Sequence, residues 1–241
     1  MQLIPLKSQL FESGTDLKSA FLAALQSKNE TLQSGDIVVI ASKVVAYSQG
    51  LLRPVANKDE FRALIRREAD QVLDEGDMVL TMKNHILIPN AGIDNSNTPD
   101  GEAILWPEHP FEAARQIHRS LVDEFGLSEF GVVIGDSHCQ PLRIGTSGIA
   151  IGWAGFWGIQ DERGKKDLFG REMVYTKIAV ADNLASAANL LMGETDACTP
   201  FVIVRDFAVE FTEQAFEAKD YFMGPKECLY HPLYGDKLKD F

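Results

Sequence analysis

The sequence predicts one continuous α+β domain over residues 1–241, and three observations predict it. Apolar runs at 37–41, 132–134 and 201–205, rich in Val and Ile, have the composition of buried strands. Segments with helical apolar spacing separate them, at 16–26, 58–76, 110–125 and 181–192. No internal repeat and no long linker divides the chain, so one core, with room for a smaller lobe, accounts for it.

Taken in order, residues 1–11 read as an edge strand or arm broken by Pro5. Residues 16–26 (DLKSAFLAALQ) form a helix with Thr15 as its N-cap. A Gly35-Asp36 turn leads into a buried strand at 37–41, which ends in Ser42-Lys43. A hydroxyl and an ammonium at a strand end hold a phosphate or lie in a surface turn; the residues alone leave both readings open. Residues 58–76 are one charged amphipathic helix with a solvated face. Residues 78–88 are a strand pair around Lys83-Asn84. The next stretch, PNAGIDNSNTPDG at 89–101, is a loop dense in oxygen and amide groups, with Asp94 and Asn97 three apart. A plain polar turn competes with a functional loop here, and the apolar Ile93 points to a loop pinned to the core. Residues 110–125 are a helix on which His118 is a surface or capping residue rather than a ligand.

The stretch at 131–152, GVVIGDSHCQPLRIGTSGIAIG, organises the chain. A buried strand meets Gly135, then Asp136 and Ser137. A carboxylate at the end of a buried strand is held by the sheet yet can face a cleft, where a divalent cation serves a phosphate-using enzyme. Alone, Asp136 reads more simply as an Asx-turn residue; the other acidic stretches shift the balance toward a cation ligand. Gly145, Gly148 and Gly152 would let backbone approach a ligand closely. The aromatics Trp153, Phe156 and Trp157 are core or dimer packing, with an apolar wall for a substrate ring as the alternative. Lys165, Lys166 and Arg171 make a small basic island, either solvated surface or an aid to an anionic substrate. A strand at 174–180 precedes an Ala-rich, buried helix at 181–192 that Gly193 caps. A strand follows at 201–205, and the tail from 211 to 241 is irregular and aromatic.

The net charge of −12 argues against a nucleic-acid partner, whose binding needs cations on the protein. It leaves room for a nucleotide, because acidic sites recruit metal ions that reverse the local sign. Three widely spaced cysteines, Cys139, Cys198 and Cys228, suggest neither a disulfide framework nor a zinc site, so a reducing cytoplasm is the expected compartment. The N-terminus lacks the apolar run of a signal peptide, and no apolar stretch is long enough to span a bilayer.

Several blocks together carry a resemblance. ASKVV at 41–45, NAGIDNSN at 90–97, Gly135-Asp136-Ser137, GTSGIAIG at 145–152, GKKDLFGRE at 164–172 and ANLLMGE at 188–194 resemble, in order and spacing, the F420-0:γ-glutamyl ligase family. The likeness runs from about residue 1 to 205, with the tail at 206–241 divergent. It implies an intertwined α+β homodimer of mixed sheets and packed helices. It also implies GTP and divalent cations, Mn²⁺ or Mg²⁺, with K⁺. The implied reaction phosphorylates a carboxylate of a small-molecule acceptor, and the amine of L-glutamate then displaces the phosphate to form an amide.

Residue by residue, the resemblance makes Asp94, Asp136, Ser137 and Glu194 metal ligands. Ser42, Lys43 and Asn97 become nucleotide contacts. So do two backbone stretches: Ser8, Gln9, Leu10 and Phe11, and Met192, Gly193, Glu194, Thr195, Asp196, Ala197, Cys198 and Thr199. Asp94, Asp136 and Arg143 form its catalytic set, and the three carboxylates Asp94, Asp136 and Glu194 are expected to converge. Where the family reads Gly-Arg-Pro-x-Arg-Arg-Gly, this chain has Cys139-Gln140-Pro141-Leu142-Arg143-Ile144-Gly145, keeping one arginine. Tyr47 stands where the family carries a second lysine. Those losses leave the acceptor open between F420-0 and the pterin-linked acceptor of a folate-directed branch, with Trp153, Phe156 and Trp157 suited to a flat heterocycle. A nucleotide- and metal-binding paralogue without ligase activity is the further alternative.

Overall fold

The computed structural model describes residues 1–238. Twelve strands and six helices follow the chain: β1 (Gln2–Leu6), α1 (Leu17–Lys28), β2 (Asp36–Ala41), α2 (Ser42–Ser48), β3 (Leu52–Pro54), α3 (Lys58–Glu68), β4 (Gln71–Glu75), β5 (Val79–Lys83), β6 (Ile86–Pro89), β7 (Glu102–Ile104), α4 (Pro110–Phe125), β8 (Phe130–Cys139), β9 (Thr146–Ala154), β10 (Ile159–Asp161), β11 (Lys177–Ala179), α5 (Val180–Met192), β12 (Phe201–Arg205) and α6 (His231–Tyr234) among the described residues. The central sheet has the order β1-β12-β2-β8-β9. Only β2 and β8 run parallel in it, and their pairing ends with Ala41, the last residue of β2, opposite Gly135. Pro5 sits in the edge strand β1, where its missing N–H costs no central ladder bond.

The central strands are apolar on both faces because helices cover both. Val38, Ile40, Val132, Ile134 and Ile203 point into one layer with Phe21 and Leu25 of α1 and Ala114 and Leu121 of α4. Their neighbours Ile37, Val39, Val133, Val202 and Val204 point the other way, onto Val180, Leu184, Ala185 and Ala188 of α5. Each buried Val or Ile contributes about 1.5–3 kcal/mol over an exposed one. A three-stranded sheet, β4-β5-β6, and the pair β3-β7 form a smaller region beside this stack.

Several expectations need correction. The segment at 58–76 is not one helix: α3 ends at Glu68, and 71–75 pairs as β4 with β5. The open edge of the β5-β6 hairpin offers ladder bonds that outcompete a charged, half-exposed last turn. The N-cap of α1 is Asp16, whose carboxylate accepts from the Ser19 N–H, while the Thr15 hydroxyl accepts from the Glu12 N–H. Asp136 is not in a turn: β8 runs on to Cys139, pairing Asp136 with Ile149. Ser42 and Lys43 open α2 rather than a surface turn. His118 is buried, its Nε2 3.1 Å from the carbonyl of Phe130. Only one face of α5 is covered, and Leu190 is 85% exposed.

Two glycines of the organising stretch serve packing, not a ligand. A Cβ at Gly148 would lie 2.4 Å from the Ala185 carbonyl oxygen on α5, and one at Gly152 2.6 Å from the Pro110 carbonyl on α4. The aromatic cluster is core. Phe156 is fully buried, and Trp153 packs between Phe111 at 4.8 Å and the tail residue Tyr221 at 4.3 Å. Trp157 meets Phe216 at 5.3 Å. The tail is irregular, as expected, but Phe216 and Tyr221 close this cluster; residues 239–241 lie outside the described residues. The basic island is already neutralised in part, with Lys165 on Glu162 at 2.7 Å and Arg171 on Asp167 at 2.9 Å.

Candidate functional site

A cleft of about 320 Å³ opens where the parallel pairing of β2 with β8 ends, the usual place for a ligand in such a sheet. Five stretches far apart in the chain line it: 8–11, 42–47, 94–97, 135–137 and 189–200. Ser42 and Lys43 arrive directly from β2, and Asp136 and Ser137 from β8.

Asp94 is set by its backbone. Its N–H donates to the Ile104 carbonyl at 3.1 Å, and its carbonyl accepts from the Ile104 N–H at 2.8 Å. The loop before it is anchored too. Asn90 Oδ1 accepts from the Val79 N–H, and the buried Thr81 hydroxyl accepts from the Ala91 N–H, so Ile93 sits in the core as anticipated. The Asp94 carboxylate accepts from Lys43 Nζ at 2.7 Å, from the Ser96 N–H at 2.7 Å and from the Ser96 hydroxyl at 2.6 Å. Burial works against its charge, but the bonds from Lys43 and Ser96 outweigh it and hold its pKa below the ordinary value. Lys43 also donates to the Ser96 carbonyl at 2.9 Å.

Asp136 is in the opposite condition. Burial pushes its pKa up to about 6, although the Trp106 indole N–H, the Ser137 N–H and the Ser42 hydroxyl all donate to it and Lys43 lies near. The protein's own donors do not offset the cost of that charge, and a cation would. Glu194 follows the α5 cap and accepts from Asn189 Nδ2 at 2.9 Å and the Thr146 hydroxyl at 3.2 Å. All three carboxylates line the one cleft, yet among the described residues no three His, Cys, Asp or Glu side chains stand together closely enough to hold an ion. The donor set is hard oxygen, Asp94, Asp136, Glu194 and the Ser137 hydroxyl, which suits Mg²⁺ or Mn²⁺ by chemistry.

Asn97 is a clasp. Its backbone is left-handed, its carbonyl accepts from the Tyr47 hydroxyl at 3.0 Å, and its amide donates to the Thr195 carbonyl at 2.9 Å. Tyr47 thus fills its position as a neutral tether. Burial, then the charges of Glu102 and Asp94, raise its pKa and keep it a donor. The 8–11 and 192–199 stretches are joined by the Ser8 N–H donating to the Cys198 carbonyl at 2.9 Å.

Two anticipated residues stand apart. Arg143 is exposed on the turn between β8 and β9, outside the cleft lining, and Ala197 faces a neighbouring cavity with Lys7 and Leu191. Trp153, Phe156 and Trp157 do not line the cleft either. Sequence reasoning missed Ser96, Trp106 and Asn189. Ser96 was legible as an Asx-type partner two residues after Asp94; nothing local announces the other two.

The sequence model of the family described as F420-0:Gamma-glutamyl ligase matches residues 5–206. Among curated proteins, the chain is similar to the coenzyme F420:L-glutamate ligase of Halorubrum lacusprofundi, at 38% identity over 77% of this chain and 81% of the relative. It resembles the protein of the same name from Methanopyrus kandleri at 36% identity, over 86% of both chains. That of Methanocaldococcus jannaschii is 33% identical, over 88% of this chain and 90% of the relative. With the matched region spanning the central sheet from Pro5 onward and every cleft-lining stretch, this chain belongs to the F420-0:γ-glutamyl ligase family.

Proposed function

We propose that this chain is a ligase that joins L-glutamate through an amide bond to a carboxylate of F420-0 or a related small acceptor, using GTP. The observation that carries the reading is the single cleft that gathers the 8–11, 42–43, 94–97, 136–137 and 192–199 stretches, in a chain whose relatives bear the ligase name. An acceptor carboxylate oxygen attacks the γ-phosphorus, GDP leaves, and an acyl phosphate forms. The neutral amine of glutamate then attacks the acyl carbon, phosphate departs, and the nitrogen gives up a proton.

In this reading Lys43 leaves Asp94 for the phosphate oxygens, a point charge suited to that task. The Asn97 clasp holds the acidic loop against the 192–199 loop, so that both present backbone to the nucleotide. Asp94, Asp136, Ser137 and Glu194 hold Mn²⁺ or Mg²⁺, with K⁺ as an accessory ion. When bound, the metal offsets the charge that builds up as the phosphoryl group moves. Water must be kept from the acyl phosphate, and in this reading the exposed β8-β9 turn that carries Arg143 serves that end on closure, or from a second subunit of a homodimer. Leu142 and Ile144 on that turn are fully exposed, which favours an acceptor with an apolar ring system and less anionic charge, so a folate-type acceptor is the second reading. A reducing cytoplasm fits three free cysteines.

The test mixes purified protein with GTP, Mn²⁺, L-glutamate and either F420-0 or a reduced folate, and seeks by mass spectrometry a product one glutamate heavier. Nucleotide and Mn²⁺ binding with no such product from either acceptor points instead to a paralogue without ligase activity. In the active case, Asp136→Asn removes Mn²⁺ binding and turnover together.

A further inference from the structure

We propose that Trp106 is a positioning residue that fixes the Asp136 carboxylate for cation binding, and that the segment 104–106 sets the spacing between Asp136 and Asp94. This rests on the reading that the cleft takes a divalent cation. Ile104 exchanges both backbone hydrogen bonds with Asp94, and two residues later the Trp106 indole N–H donates to Asp136 Oδ2. One short segment therefore holds both aspartates, Asp94 by its backbone and Asp136 by its carboxylate, although they lie 42 positions apart in the chain. Trp106 does not line the cleft; it reaches Asp136 from within the core, being 3% exposed.

The ring has no freedom to do otherwise. A Cβ at Gly92 would stand 2.4 Å from the indole, so the glycine at this one position of the Asn90–Gly92 turn makes room for it. An indole has one donor and no acceptor, and a locked ring points that donor in one direction. Tying down Oδ2 selects one rotamer of Asp136 and leaves Oδ1 free of the indole. Partners of this kind, one step removed from a metal, orient the ligand and tune its affinity.

The experiment compares wild type, Trp106→Phe and Asp136→Asn. Phenylalanine keeps an aromatic ring but removes the donor together with part of the buried indole, so the melting record separates lost packing from lost metal affinity. Mn²⁺ alone is titrated by calorimetry, GTP binding is measured without metal, and melting is recorded. Trp106→Phe is expected to weaken Mn²⁺ roughly 10- to 100-fold, with metal-free GTP affinity unchanged. Wild-type Mn²⁺ affinity in Trp106→Phe, with binding lost in Asp136→Asn, overturns the proposal and leaves the cation reading standing. No Mn²⁺ binding by wild type, or undiminished binding by Asp136→Asn, overturns both. Should Trp106→Phe fail to fold, the wild-type indole N–H resonance of Trp106 serves, assigned with Trp153→Phe and Trp157→Phe. It is expected to move when Mg²⁺ is added, and an unmoved resonance overturns the proposal.

Discussion

Gly148→Ala tests whether the glycines of the organising stretch act through packing. The φ of Gly148 lies outside the left-handed region, so alanine meets no backbone objection there. The obstacle is steric: the new Cβ would lie 2.4 Å from the Ala185 carbonyl oxygen, 2.5 Å from its carbon and 2.7 Å from the Ser186 nitrogen. These are backbone atoms of α5 and cannot rotate aside. Ordinary contact begins at 3.4 Å, so β9 and α5 must part by about 1 Å. The Ser186 hydroxyl bond to the Gly148 carbonyl, 2.6 Å long, is stretched by the same motion. Overpacking of this kind costs about 1–3 kcal/mol. For a chain of this size that lowers the melting temperature by roughly 2–12 °C. Because α5 carries Asn189 and leads into the 192–199 loop, the cleft is displaced as well, and about 100-fold of turnover is at stake for a 1 Å error. Calorimetric melting with a GTP titration and the mass-spectrometric assay reads all three. Gly145→Ala is the control: its φ of +101° costs about 1–2 kcal/mol of strain, but nothing lies within 4 Å and α5 stays in place. A Gly148→Ala protein that melts and binds GTP like wild type would refute the steric reasoning.

Other outcomes follow from single contacts. Arg205→Met leaves the 1%-exposed Asp36 carboxylate without its two 2.8 Å guanidinium bonds, so a loss of about 3–5 kcal/mol is expected in urea unfolding. Burial lowers the pKa of His118, outweighing the Glu213 charge and the Phe130 carbonyl at Nε2, both of which favour the protonated ring. The unfolded chain therefore binds the extra proton, so this residue's stabilisation is complete above about pH 6.5 and is lost as pH falls through the depressed folded value. The wild-type minus His118→Gln difference in unfolding free energy should shrink on acidification, and a pH-independent difference would contradict this. Asn97→Ala removes the bond to Thr195 and is expected to weaken GTP by about 10-fold, the equivalent of one net hydrogen bond, with Tm changed by only a few degrees. Equal GTP affinity by titration calorimetry would dismiss the clasp.

Much of the fold was legible because its central strands are apolar on both faces, and such runs leave few alternatives. The strands at 37–41 and 201–205 and the helix at 110–125 emerged where their composition put them. The charges of 58–76 fit a helix throughout, while what decides 71–75 is the distant β5 edge. The burial of His118 is equally non-local: its partner, the Phe130 carbonyl, comes from β8. Of the anticipated site residues, all but Arg143 and Ala197 line one cleft; the family resemblance named them as a set, and nothing in the local composition of Ser8–Phe11 marks a ligand site.

The chain by itself determined most of its strands and helices, 42–48 and 71–75 excepted, and which loops carry oxygen donors, because burial pattern and turn chemistry are largely local properties. Only the tertiary structure decided that the Gly148 and Gly152 spaces belong to helices and that the aromatics at 153–157 belong to the core. It alone put Lys43 on Asp94, Trp106 on Asp136 and Tyr47 on Asn97. Each of those pairs joins residues at least thirty positions apart, and a hydrogen bond acts over about 3 Å of space, so no spacing along the polymer announces it.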